Sequence, residues 1–246
     1  MAMGALLVAV LYLPTQPAPA SGKVLRIHII RAVLTAVMAY LFFFGLTRIP
    51  LAQAIGLSFI APIITLFLAV PILGERIGAN AKLAAVLGFG GVMVVVGGEL
   101  LAVDAGSDLL GMTAVLVSAV MYAFNLVLQR MQALIAQPLE IAFYQNVIVF
   151  LLLLVGVPFA VTWPANPAQW GGAALAAAFA VTSLMLMSVA YRQAEAQRLV
   201  AIEYTAFIWA AMLGWWFFAE AVTARTLLGT GLIVLGCLVS ARGGSR

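Results

Sequence analysis

The sequence predicts an all-α integral membrane protein made of two inverted-topology helical repeats, with eight full transmembrane helices and a truncated helix at the N-terminus. Three observations predict it. Of the 246 residues, 65% are hydrophobic and 8% charged, against roughly 45–50% and about 25% in an ordinary soluble domain. The apolar residues fall in runs of about 20, the length that crosses a hydrocarbon core of roughly 30 Å. The chain also matches itself when shifted by 145 residues. With a mean hydropathy of +1.17 it cannot cover itself with polar surface, which excludes a soluble enzyme and a disordered or collagen-like polymer. A formal net charge of +4 from 12 basic and 8 acidic residues is too sparse for a nucleic-acid footprint. With Cys237 and His28 the only residues of their kinds, neither a disulfide framework nor a Cys- or His-based metal site is expected.

The first apolar run, residues 1–13, reaches only about 20 Å as a helix, too short to cross. It reads either as a signal peptide, with Ala18-Pro19-Ala20 as an A-x-A-like cleavage site but no basic residue before the apolar run, or as the surviving end of a helix. Eight longer runs follow: 25–46, 51–73, 81–98, 109–128, 139–160, 171–190, 199–218 and 226–241. Breakers and charges separate them, as at Thr47-Arg48-Ile49-Pro50, Gly74-Glu75-Arg76 and Thr162-Trp163-Pro164. Small residues such as Gly88, Gly90, Gly91, Gly229 and Gly231 recur inside the runs, where they let helices pack closely without a hydrophobic drive. Continuous rather than alternating apolarity argues against a β-barrel.

The repeat chooses between the readings of the first run. A shift of 145 places Glu75 on Glu220, Ile63 on Ile208, Ala79 on Ala224, Leu83 on Leu228 and Gly91 on Gly236. The Gly74-Glu75 and Ala219-Glu220 punctuation carries the most weight, because matches among Ala, Leu and Gly are cheap here. Shifted back, the run 139–160 overlaps 1–13, and the run at 109 falls before the chain begins. The expected organisation is a first repeat at 1–98 that is N-terminally truncated, an acidic external linker at 99–108, and a second repeat of five helices at 109–246. With the C-terminus cytoplasmic, ten of the 12 basic residues lie at or near the inner face, Arg48 and Arg225 being the exceptions, as the positive-inside rule requires. An odd number of helices per complete repeat turns the two halves upside down relative to one another, the plan of secondary transporters.

Three segments then carry a family pattern. Residues 52–75, AQAIGLSFIAPIITLFLAVPILGE, resemble the fourth helix of EamA-type proteins, with a mid-helix proline and a closing Gly-Glu. Residues 201–220, AIEYTAFIWAAMLGWWFFAE, resemble the ninth helix, and 111–130, GMTAVLVSAVMYAFNLVLQR, the sixth with its late basic residue. The chain thus resembles the EamA family of the drug/metabolite transporter (DMT) superfamily along nearly its whole length. The resemblance implies a bundle of ten helices with both termini cytoplasmic, and movement of a small organic solute such as a metabolite, amino acid, cofactor or drug. Pro62 has no proline at its partner position, Phe207.

An ionisable group inside a membrane helix costs roughly 2.5–3.5 kcal/mol even on the lenient insertion scale, so Glu203 is the first candidate. It lies five residues past Arg198, about 7.5 Å into its helix. Asn125, Gln145, Asn146 and Arg31 fall at similar depth and would share a polar layer with it. Glu203 and Arg31 either pair or compete for a ligand or coupling proton, or Glu203 snorkels to the interface in a structural role. Tyr204, Thr205 and Trp209 continue that helix, and Trp209 and Tyr122 either stack on a flat or cationic ligand or pack between helices. Gln53 and Ser58 on the counterpart helix offer hydrogen bonds to solute or to neighbouring helices. Trp215 and Trp216 read as interfacial anchors, His28 as an interfacial side chain, and Glu75 and Glu220 as caps for the N-terminus of the following helix. The expected protein is a secondary-active solute transporter of the bacterial cytoplasmic membrane and not an enzyme. No cofactor, catalytic residue, metal or nucleic acid is expected; the partners are membrane lipid, the solute and a coupling proton, with homodimerisation left open. A non-transporting relic, and an intramembrane enzyme suggested faintly by Gly56-Leu57-Ser58, are the alternatives.

Overall fold

A computed structural model describes residues 2–15, 20–49, 51–101, 108–154, 166–206, 208–209, 212, 216 and 224–242. The regular structure among them is helical throughout: α1 Ala2–Tyr12, α2 Gly22–Leu46, α3 Leu51–Ser58, α4 Ala61–Leu73, α5 Ala79–Leu101, α6 Leu109–Ile135, α7 Pro138–Leu154, α8 Pro167–Gln193, α9 Ala196–Glu203 and α10 Ala224–Arg242. Glu220, Phe207, Trp215, most of the acidic linker and the Ala18-Pro19 segment lie outside the described residues, as does the side chain of Gln53. Four stretches among the described residues are long and apolar enough to cross a membrane: Gly22–Leu46, Ala54–Leu73, Leu109–Ile135 and Pro167–Gln193. At 27 residues, α6 extends about 40 Å, more than the roughly 30 Å required.

The run 51–73 is not one continuous helix. It breaks at Phe59–Ile60, and α4 begins with Pro62 in its first turn. Proline lacks the N–H that would donate to the carbonyl four residues back, and its ring crowds that carbonyl. Gly74, at φ +70°, closes α4 in the left-handed conformation, which glycine adopts without a Cβ clash. The following glutamate caps the start of α9. Glu75 Oε1 accepts the main-chain N–H of Ala196, first residue of α9, at 3.1 Å. Beside it the N–H of Gly78 donates to Gln197 Oε1 at 3.0 Å.

The chain forms two compact units, one of residues 1–37 and 128–193, the other of 38–127 and 194–246. Each draws on both halves of the sequence. In the first, α1 packs on α7 and α8: Val8 is fully buried with Ala142 and Val181, and the Tyr12 ring stacks on Phe143 at 4.6 Å. Gly4 leaves the space that Asn146 fills, since a Cβ there would meet Asn146 Oδ1 at 2.6 Å.

In the second unit α5 and α10 meet through glycines. A Cβ on Gly91 would lie 2.5 Å from the Gly229 carbonyl oxygen, and one on Gly236 would lie 2.9 Å from that of Ala84. Contacts that run 84 to 236 and 91 to 229 make the two helices antiparallel. Lipid tails are as apolar as leucine, so close backbone approach replaces the hydrophobic effect as the source of attraction. Next to this seam Val92, Tyr204 and Ile233 form a buried cluster with Phe59, Ile208 and Cys237.

At the start of α6, Asp108 Oδ1 accepts the N–H groups of Leu110 and Gly111 at 2.9 and 3.1 Å, the geometry of an N-cap. Its other oxygen accepts from Arg48 Nη1 at 2.6 Å, and the Arg48 guanidinium also lies 4.6 Å from the Phe44 ring centroid. The Arg48 bond, with the capped N–H groups, holds the Asp108 carboxyl below the usual aspartate range.

Candidate functional site

In the second unit, α2, α3 and α6 enclose a pocket of about 250 Å³ lined by Met38, Ala39, Phe42, Phe43, Ser58, Ser118, Ala119 and Tyr122. Ser118 and Tyr122 stand four residues apart and so share one face of α6. The three polar groups in the wall have defined partners. Ser118 Oγ donates to the Met38 carbonyl at 2.7 Å, Ser58 Oγ to the Ala54 carbonyl at 2.8 Å, and Tyr122 Oη to Glu203 Oε2 at 2.9 Å. Glu203 therefore stands one hydrogen bond behind the pocket wall, at the end of α9. A carboxyl group so placed, behind an otherwise apolar and aromatic pocket, is a group that can gain or lose a proton.

Of the residues singled out in the sequence, Tyr122, Ser58 and Glu203 come together here. Asn125 is buried one turn further along α6. Tyr204 is fully buried in the apolar cluster, with Gly88 supplying the space its ring occupies. Trp209 is 59% exposed and is not among the lining residues of the pocket; Trp216, too, is exposed.

The first unit holds a separate polar cluster. Arg31, 3% exposed, donates to Gln132 Oε1 at 2.8 Å and to Gln129 Oε1 at 3.1 Å. Gln132 Nε2 lies 2.9 Å from His28 Nδ1, and His28 Nε2 lies 3.3 Å from Glu140 Oε1. The His28 ring also stacks on Tyr144 at 4.7 Å. His28 is thus a buried member of a helix-linking network. Arg31 and Glu203 fall in different units, each with partners in its own. On α7, Asn146 Nδ2 donates back to the Ala142 carbonyl at 2.9 Å. The buried Oε1 of Gln145 has no hydrogen-bond partner among the described residues.

Sequence reasoning missed Ser118, Gln129 and Gln132, although a signal was present. Ser118, Tyr122, Asn125, Gln129 and Gln132 recur at spacings of four and three along α6, a polar stripe down one face. Phe42 and Phe43 carried no such signal, because apolar residues that line a pocket and apolar residues that face lipid look alike. Among the described residues no group of three or more His, Cys, Asp or Glu is placed to hold a metal ion.

Comparison with known proteins adds family and fold. Residues 1–97 and 109–242 match the EamA-like transporter family. The chain is 29% identical over 225 residues to the pseudopaline exporter CntI of Pseudomonas aeruginosa strain UCBPP-PA14, covering 87% of this chain and 74% of that one. It is 28% identical over 238 residues to a riboflavin transporter of Rhizobium johnstonii strain 3841, covering 89% and 71%. A solved crystal structure superposes with a TM-score of 0.82 at 18% identity, over 97% of this chain and 85% of that one, which shows a shared fold. The chain, a multi-pass membrane protein, belongs to the EamA-like transporter family.

Proposed function

We propose that the protein is a secondary-active transporter of a small organic solute, working by alternating access between two inverted repeats, 1–98 and 109–246, joined by an external linker at 99–108. The observation that carries the proposal is the pocket bounded by Phe42, Phe43, Ser58, Ser118 and Tyr122 with the Glu203 carboxylate directly behind Tyr122. A membrane-embedded acid next to a cavity is the arrangement that links solute binding to a proton. In this reading Tyr122 and Ser58 contact the solute and Glu203 carries the coupling proton. The antiparallel seam of α5 on α10 supports the inverted plan, because the 145-residue shift exchanges its two contacts: Gly91 with Gly229 becomes Gly236 with Ala84. Relatives named as an exporter and a transporter support transport over an intramembrane enzyme. The distribution of basic residues supports a cytoplasmic C-terminus in a bacterial inner membrane.

The test is uptake and efflux of a metabolite panel by the purified full chain in proteoliposomes under an imposed proton gradient. Flux of at least one solute that responds to the gradient is expected. Flux indistinguishable from empty vesicles across the panel overturns the proposal and favours a non-transporting relic.

A further inference from the structure

The polar cluster of the first unit fixes where the single histidine carries its proton. A guanidinium only donates, so the Gln132 amide turns its oxygen to Arg31, 2.8 Å from Nη1. That leaves the amide nitrogen, itself only a donor, 2.9 Å from His28 Nδ1. Nδ1 therefore accepts, and the proton of the neutral ring sits on Nε2, 3.3 Å from Glu140 Oε1. Arg31 thus sets the His28 tautomer through Gln132. His28 is 1% exposed and Gln132 fully buried, so a bond lost here is not made good by bulk water. We propose that His28 is a proton-operated switch: neutral, it bridges α6 and α7; protonated, it stays with α7 and releases α6. The switch goes beyond the transporter reading and does not rest on it.

An arriving proton has one place to go, the Nδ1 lone pair, and there the new N–H meets the N–H of Gln132. The amide cannot answer by turning over, because its nitrogen would then face the Arg31 guanidinium, donor against donor. On the other side the imidazolium keeps its partners. Its Nε2–H still meets Glu140, a carboxyl group in the first turn of α7, where negative charge is favoured. Its ring lies against Tyr144, centroids 4.7 Å apart and 16° from parallel, and an aromatic face attracts cations. The charged and titratable groups around the ring are Glu140 and Tyr144 of α7, Tyr12 of α1 near both, and Arg31 of its own helix. From α6 come the uncharged amides of Gln129 and Gln132, while Arg130 donates to the Tyr191 carbonyl of α8. The carboxyl group that favours an imidazolium is on α7, and the donors that oppose it are Arg31 and the amide of α6 that Arg31 holds. Protonation therefore sets the two sides against one another.

With one histidine in the chain, ring-15N labelling of the purified full chain in detergent reports on this site without any substitution. At pH 8 a protonated Nε2 and an unprotonated, hydrogen-bonded Nδ1 are expected. On acidification to about pH 5, across the ordinary imidazole range near 6.5, both nitrogens should become protonated. Two double-mutant cycles on Tm then identify the partners at each end: His28→Phe with Gln132→Leu, and His28→Phe with Glu140→Gln. The first pair should depart from additivity by several degrees at pH 8 and by less than about one degree at pH 5. The departure of the second should persist or grow. A proton on Nδ1 of the neutral ring, a ring that stays neutral down to pH 5, or a His28–Gln132 coupling that survives protonation overturns the switch. Should a variant not fold, the labelled parent still decides the tautomer and the protonation.

Discussion

The Tyr204 hydroxyl donates at 3.4 Å to the main-chain carbonyl of Phe59, the residue that holds Tyr204's own place one 145-residue shift earlier. Their rings stack, 5.7 Å apart and 15° from parallel. Contact between a residue and its own counterpart is what the proposed two-fold relation between the repeats calls for, as at the centre of an isologous contact. The same buried cluster brings together Val92 and Cys237, another pair separated by that shift.

Packing at this seam should tolerate little added volume. Gly91→Ala places a methyl 2.5 Å from the Gly229 carbonyl oxygen, and overpacking of this kind costs about 1–3 kcal/mol. Gly90→Ala, one residue away with nothing within 4 Å, should be neutral or stabilising, since alanine favours helix by up to about 1 kcal/mol over glycine. Thermal unfolding in detergent distinguishes them, and equal Tm values would refute the seam.

Removing the acid behind the pocket should uncouple transport from pH. Glu203→Gln is expected to abolish the pH dependence of solute flux; a profile identical to the parent's removes the coupling role. Tyr122→Phe deletes the hydrogen bond to Glu203, an interaction of about 0.5–1.5 kcal/mol, and should lower flux several-fold.

Gln132 joins two otherwise separate partners, accepting from Arg31 and meeting the His28 ring. Gln132→Leu leaves both with a lost contact in a buried site, where an unsatisfied polar group costs about 1–3 kcal/mol. A Tm clearly below that of the parent is expected, and an unchanged value would show that the network contributes nothing to folding.

Gln145→Leu should behave in the opposite way. The buried Oε1 has no partner among the described residues, so replacing it with an apolar side chain of similar size removes a desolvation cost. An unchanged or raised Tm is expected in detergent, and a fall of several degrees would mean that this oxygen has a structural partner.

Asp108 sets a pH dependence outside the membrane-spanning segments. Its carboxyl is depressed by the Arg48 bond and by the capped N–H groups, so its contribution is complete above the ordinary aspartate value, about 3.9. It is lost only as pH falls through the lower, folded value. The difference in Tm between parent and Asp108→Ala should therefore be constant from pH 8 down to about 5 and shrink only below about 4. A difference that closes between pH 7 and 6 would contradict this origin.

The helices were legible because membrane crossing imposes a length and an apolarity that any window along the chain reveals. Glu203 stood out by the same logic, a charge in apolar sequence. The sequence also marked Glu75 as a cap, for the helix that follows it along the chain. Its partner Ala196 lies 121 residues away, and Tyr122 reaches Glu203 across 81. No local rule carries that information, since it depends on which helix faces lie side by side.

By itself, then, the sequence determined that this chain is helical and that lipid is its solvent; these follow from composition and periodicity, which are local properties. Only the tertiary structure decided that Phe42, Phe43 and Ser118 bound a cavity, that Arg31 ends in amide oxygens, and that Tyr204 meets Phe59. In a chain that is apolar on almost every face, hydropathy cannot separate a surface turned to lipid from one turned to a pocket. Side-chain geometry alone makes that distinction.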